Sequence, residues 1–142
     1  MVTGKIKSCG CSIKTNKGKN HRLWRGCGDI SGNRWNSIVR GANGSKGRKK
    51  IMFDITIEEV WELYLNQNRK CKLSGLPISF SNDKIRGTAS LDRIDSSKGY
   101  EKGNIQWVHK DINKMKNSLD ETYFINLCHK VSELNQKRQC DL

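Results

Sequence analysis

Apolar residues fall in short runs broken by polar ones; no run exceeds three residues, as at Ile51–Phe53 and Tyr123–Ile125. A membrane span needs about 20 apolar residues and a signal-peptide core about 7–15, so neither can be drawn. The pattern predicts a soluble, cytoplasmic protein. Residues 1–22 are rich in Lys, Gly, Ser and Asn with little period and predict an extended arm. A short helix follows from Ser31 or Gly32 to Arg40, burying Trp35, Ile38 and Val39. The stretch Gly41–Lys50 breaks it as a flexible basic loop, open to two readings, a plain linker or a phosphate-contacting loop.

From Ile51 the character changes. Ile51–Ile55 reads as a strand, and Thr56 followed by Glu59 forms a capping box that starts a helix running to about Gln67. Its stripe of Val60, Trp61, Tyr64 and Leu65 predicts core packing. Ala89–Ile94 and Asn104–Val108 predict two strands joined by the loop Asp95–Gly103, and Lys110–Asn117 a helix. A last helix is capped by Asp120. Its residues Phe124, Leu127, Cys128, Val131 and Leu134 share one face, which is expected to close the domain from outside.

Charge divides the chain in two. Residues 1–50 carry 13 basic side chains and one acid, Asp29, whereas residues 51–142 carry 14 basic and 13 acidic ones. Nearly all of the net +13 is therefore N-terminal. So one-sided a segment repels itself until a polyanion neutralises it, and nucleic acid is the first-choice partner. Lys14, Lys17, Lys19, Arg22, Arg25, Arg34, Arg40, Arg48, Lys49 and Lys50 are its candidate phosphate contacts, with Lys114 further along. Trp24 and Trp35 among the charges argue against a tail that only aids solubility. The expected organisation is a basic arm and short helix over 1–50, then a second unit over 51–142.

The six cysteines suggest metal ligands or core residues before disulfides. Cys9, Cys11, His21 and Cys27 have the donor types for a small structural zinc site, though their spacing is not a standard one; reduced thiols are the competing reading. Cys71–Gly75 looks like a zinc knuckle whose second cysteine has become Ser74, and is read as a structural turn.

The chemistry concentrates in Ser90–Asn117. Asp92 ends one strand, Asn104 opens the next and Asn113 sits early on the following helix, so folding strand on strand and helix across both brings Asp92 and Asn113 together. Hard oxygen donors from two elements, completed by water and phosphate, suit magnesium. An ion so held can stabilise the charge developing on a leaving 3′ oxygen.

At Leu91-Asp92-Arg93-Ile94-Asp95, Gly99-Tyr100, Gly103-Asn104-Ile105-Gln106-Trp107-Val108 and Ile112-Asn113-Lys114-Met115-Lys116-Asn117, the sequence resembles the HNH, or ββα-metal, endonuclease superfamily in the variant common in phage genomes. The similarity covers about residues 55–135, with 12 positions from Asp92 to Asn104 and nine more to Asn113. It implies a small α+β protein with a ββα-metal (His-Me finger) core, flanking helices and an extended basic arm. The implied activity is metal-dependent hydrolysis of DNA, double-stranded by expectation, with magnesium or manganese on Asp92 and Asn113. Asn104 is the implied orienting residue. The family's usual base, a histidine after the first acid, is here Arg93, which keeps its proton near neutral pH and can instead clamp phosphate or offset charge. Tyr100 is then the first candidate to activate water and His109 the second; a third reading is a DNA-binding module that no longer cuts. Lys114 and Lys116 are expected to face phosphates or water. RNA is a less favoured partner, and one active site per chain leaves both monomer and homodimer open.

Overall fold

The computed structural model describes residues 25–44, 49–81 and 86–140, with side chains through residue 136. The arm of residues 1–22, the zinc candidates Cys9, Cys11 and His21, and the basic residues Lys14, Lys17, Lys19, Arg22 and Arg48 lie outside the described residues. Within them the chain is mixed α+β. Its order is α1 (Gly32–Ala42), β1 (Phe53–Asp54), α2 (Ile57–Asn66), β2 (Ala89–Arg93), β3 (Tyr100–Glu101), β4 (Ile105–His109), α3 (Lys110–Lys116) and α4 (Glu121–Cys140). None of these helices is long and apolar enough to cross a membrane.

Local chemistry explains the starts. Ser31, in extended conformation, accepts the Arg34 N–H at 3.2 Å and opens α1. At α2 the expected capping box forms on both sides: Thr56 Oγ1 accepts from the Glu59 N–H at 3.3 Å, and the Glu59 carboxylate accepts from the Thr56 N–H at 2.8 Å. Along α1 Trp35, Ile38 and Val39 are only half-buried, and the buried residue is Ala42, two positions past the expected end. On α2 Val60 and Tyr64 are buried while Leu65 is exposed, because α2 meets the core along a stripe narrower than its apolar composition.

The two sheets have two strands each. β2 and β4 pair antiparallel, with Leu91 opposite Trp107 and Asp92 opposite Gln106. β1 and β3 pair in parallel, Phe53 opposite Tyr100, so the loop expected over Asp95–Gly103 contains a short strand. Trp107, 0% exposed, is the centre of the core, with Ile30, Val60, Tyr64, Ile78, Phe80, Leu91 and Val108 around it. Its indole N–H donates to the Val60 carbonyl at 2.7 Å, and the Tyr64 hydroxyl donates to the Ile78 carbonyl at 2.7 Å. Aromatic bodies are thus buried with their polar ends satisfied.

On the other edge of β4, Gln67 stands in for a strand. Its Oε1 accepts from the Trp107 N–H at 2.9 Å and its Nε2 donates to the Trp107 carbonyl at 2.8 Å. The segment before α1 packs on α2 through a tight turn at Cys27–Ile30, where Gly28 has φ of 56°. A Cβ there would meet the Trp61 ring at 2.0 Å, so only glycine fits.

The last helix departs from expectation. Phe124 is buried, but Val131 and Leu134 are 63% and 54% exposed, and Leu127 and Cys128 are exposed as well. The face is apolar at helical spacing as read, yet among the described residues nothing covers it beyond its first turns.

Candidate functional site

The pleat of β2 sets Ser90 and Asp92 on one face and Leu91 and Arg93 on the other. Helix α3 lies along the first of these faces. Asn113 donates from Nδ2 to Ser90 Oγ at 2.8 Å and to the Leu91 carbonyl at 3.3 Å. One helical step later, Lys116 Nζ lies 3.1 Å from Asp92 Oδ2 and 3.3 Å from its Oδ1, and donates to the Arg93 carbonyl at 2.9 Å. The helix therefore matches amide to serine and ammonium to aspartate along one strand.

Across the ladder, Gln106 completes the cluster. Its Nε2 donates to Asp92 Oδ2 at 3.0 Å and also to the Glu121 carboxylate at the start of α4. Asp92 is 5% exposed and Lys116 0%. Among the described residues no buried side-chain nitrogen or oxygen lacks a partner, which a buried ion pair requires to be tolerated. Two carboxylates here share one amide, and one of them, Asp92, also holds the ammonium.

The loop from β2 to β4 is tied from within. Asn104 Oδ1 accepts from the Asp95 N–H at 2.9 Å, and its Nδ2 donates to the carbonyls of Asp95 at 3.1 Å and Gly99 at 2.8 Å. Arg93 donates to the Ser96 and Lys98 carbonyls at 2.7 and 2.6 Å, and its guanidinium lies 5.5 Å from the Tyr100 ring centroid. Asp95 caps the turn by accepting from the Ser97 hydroxyl and N–H at 2.6 and 2.9 Å. The Ser97 hydroxyl first, then its N–H, with Lys98 assisting, holds the Asp95 carboxyl below its ordinary value.

Of the residues singled out in the sequence, the fold brings Asp92, Asn113 and Ser90 to one face, and Arg93 and Tyr100 together on the opposite side of β2. Tyr100 is half-buried, its ring 5.5 Å from that of Phe53. His109 stands apart. It caps α3, its Nδ1 accepting from the Asp111 N–H at 3.3 Å, and lies three residues beyond Gln106 along β4, about 10 Å at strand spacing. Asn104 orients the inter-strand loop. Arg34 donates to the Ala89 carbonyl at 2.8 Å and so ties α1 to β2, while Arg25, Arg40, Lys49, Lys50 and Lys114 are exposed.

Lys116 corrects an expectation, since it faces neither phosphate nor water. Gln106 and Glu121 were not singled out by the sequence, because their partners lie 14 and 15 residues away. The Cys71 turn is as read: the residue is buried, and the Gly75 N–H donates to its carbonyl at 2.9 Å. Burial alone pushes the Cys71 thiol up, but the Ser74 hydroxyl and the N–H groups of His109, Ser74 and Leu73 outweigh it, and the net shift is downward. The Cys27 thiol moves the other way, through burial and then the nearby Glu58 and Glu62 carboxylates.

Among the described residues no group of three or more His, Cys, Asp or Glu could hold a metal ion. The family resemblance implies only two protein ligands, and their donor chemistry fits. With Nδ2 of Asn113 committed to the strand, its hard amide oxygen is the donor atom left. The Asp92 carboxylate already faces a cation, and a divalent ion would share it with the ammonium or replace the ammonium. No protein-family model, no curated protein and no solved structure matches the chain.

Proposed function

We propose that this chain is an HNH-type, ββα-metal endonuclease that hydrolyses DNA phosphodiester bonds with magnesium or manganese. The observation that supports the reading is that Asp92 and Asn113 lie on one face of the unit formed by β2, β4 and α3, Asn113 bonded to Ser90 two residues before Asp92. Asp92 and Asn113 are the residues that would hold the ion, which supplies electrophilic stabilisation of the scissile phosphate and the leaving 3′ oxygen.

The remaining roles follow from placement. Asn104 fixes the inter-strand segment that carries Tyr100 and to which Arg93 is bonded. Arg93, on the opposite side of β2, adds positive charge at the strand's end without being able to accept a proton. Tyr100, in contact with Arg93, stays the first base candidate and His109, about 10 Å along β4 from Gln106 at strand spacing, the second. Exposed Arg25, Arg40, Lys49, Lys50 and Lys114 bind phosphates without reading sequence, so affinity falls steeply with salt.

One observation favours a second reading, a DNA-binding module that does not cut: Lys116 already balances Asp92, and Arg93 is bonded to loop carbonyls. Nicking of supercoiled plasmid separates the two. Magnesium-dependent nicking, abolished by chelator and by Asn113→Ala at an unchanged melting temperature, supports the nuclease. DNA binding with no cleavage in magnesium or manganese supports the module. Asp92→Ala alone is a poor test, because it strands a buried ammonium and lowers stability along with activity.

A further inference from the structure

We propose that Lys116 is a built-in counter-cation that a divalent ion must displace to reach Asp92, so the ammonium sets how tightly that site loads. The inference rests on the reading of Asp92 as the ion's ligand. Lys116 is fully buried, touches both Asp92 oxygens at 3.1 and 3.3 Å, and is anchored on the far side by the Arg93 carbonyl at 2.9 Å. A solvated lysine near an acid would drift with the solvent. This one is placed by packing, so moving it has a cost.

Charge gives the arrangement its direction. Asp92 and Glu121 accept from the same Gln106 amide nitrogen, so a second carboxylate stands one amide away from the Asp92–Lys116 pair. The ammonium balances Asp92 alone; a doubly charged ion would leave one positive charge over for Glu121 or a phosphate. Conversely, an ion arriving while Lys116 stays in place meets a like charge a few ångströms away in a partly desolvated corner, where repulsion is far stronger than in water. Loading therefore favours divalent over monovalent ions, and it is weak until the ammonium gives way. A nearby phosphate, which accepts a lysine as readily as an acid does, supplies a place for it to go.

The test uses the full-length protein and Mn2+ as probe, with free Mn2+ followed by electron paramagnetic resonance. Lys116→Met and Lys116→Gln remove the charge and are expected to bind Mn2+ about tenfold or more tightly than the unsubstituted protein. They should also gain more melting temperature from added Mn2+. The paired variant Asp92→Asn with Lys116→Met carries no buried charge at this position and should lose the gain. Folding of the single variants only in Mn2+ would also support the proposal. Unchanged Mn2+ affinity in the Lys116 variants overturns it, as does a gain that persists without the Asp92 carboxylate or single variants that stay unfolded at saturating Mn2+. Should the unsubstituted protein neither bind Mn2+ through Asp92 nor cut DNA while Lys116→Met gains the ion, the nuclease reading falls and the counter-cation stands.

Discussion

The corner formed by β2, β4 and α3 and the outer length of α4 were equally well patterned in the sequence, and the fold treats them in opposite ways. In the corner every inward polar group finds a partner, including an aspartate and a lysine that seldom occur so deep. On α4 the apolar residues keep their spacing, yet after Phe124 they stay in solvent. Periodicity therefore says which residues share a face. Whether a second surface exists to receive that face depends on the rest of the chain.

The contrast can be broken or sharpened by substitution. Trp107→Ala empties the centre of the core and should cost about 3–5 kcal/mol, read as a fall in the urea midpoint. Asn104→Ala frees the Asp95 and Gly99 carbonyls and the Asp95 N–H together and should cost about 2 kcal/mol, with faster amide exchange confined to residues 95–103. Val131→Ala and Leu134→Ala on α4 should each stay within about 0.5 kcal/mol of the unsubstituted protein. A cost above 2 kcal/mol at either position would mean that this face is covered in solution, and the comparison would fail.

The smallest effect is a titration. Asp95 has its folded value depressed, so its contribution is present above the ordinary carboxyl value of 3.8 and is lost only as pH falls through the lower folded value. The Ser97 amide resonance should therefore shift below pH 3.8 in step with loosening of the loop. In Asp95→Asn that acid step should vanish.

Elements specified by neighbouring residues were legible in the sequence. Thr56 and Glu59 announced α2 because a capping box is complete within four residues, and β2, β4 and α3 lie within a residue of their expected ends. That α3 lies along the Ser90 and Asp92 face of β2 follows from the same order, since two strands and a helix in direct succession leave little freedom. What could not be read depends on register between distant segments. The parallel pairing of β1 and β3 spans two residues a side, too short to leave an alternation pattern. Lys116 reads like any solvated helix lysine until α3 is laid against β2, which turns it onto Asp92, 24 residues earlier.

Gln67 carries a consequence for the behaviour of the molecule in concentrated solution. A two-stranded sheet presents open margins, and an unpaired margin is a template on which another chain can add a strand. By closing the Trp107 N–H with Gln67 and its carbonyl with Gln67 and the Lys72 N–H, the protein withdraws the most apolar of its strands from intermolecular zipping. One glutamine and one backbone amide thus stand where a neighbouring chain would otherwise add.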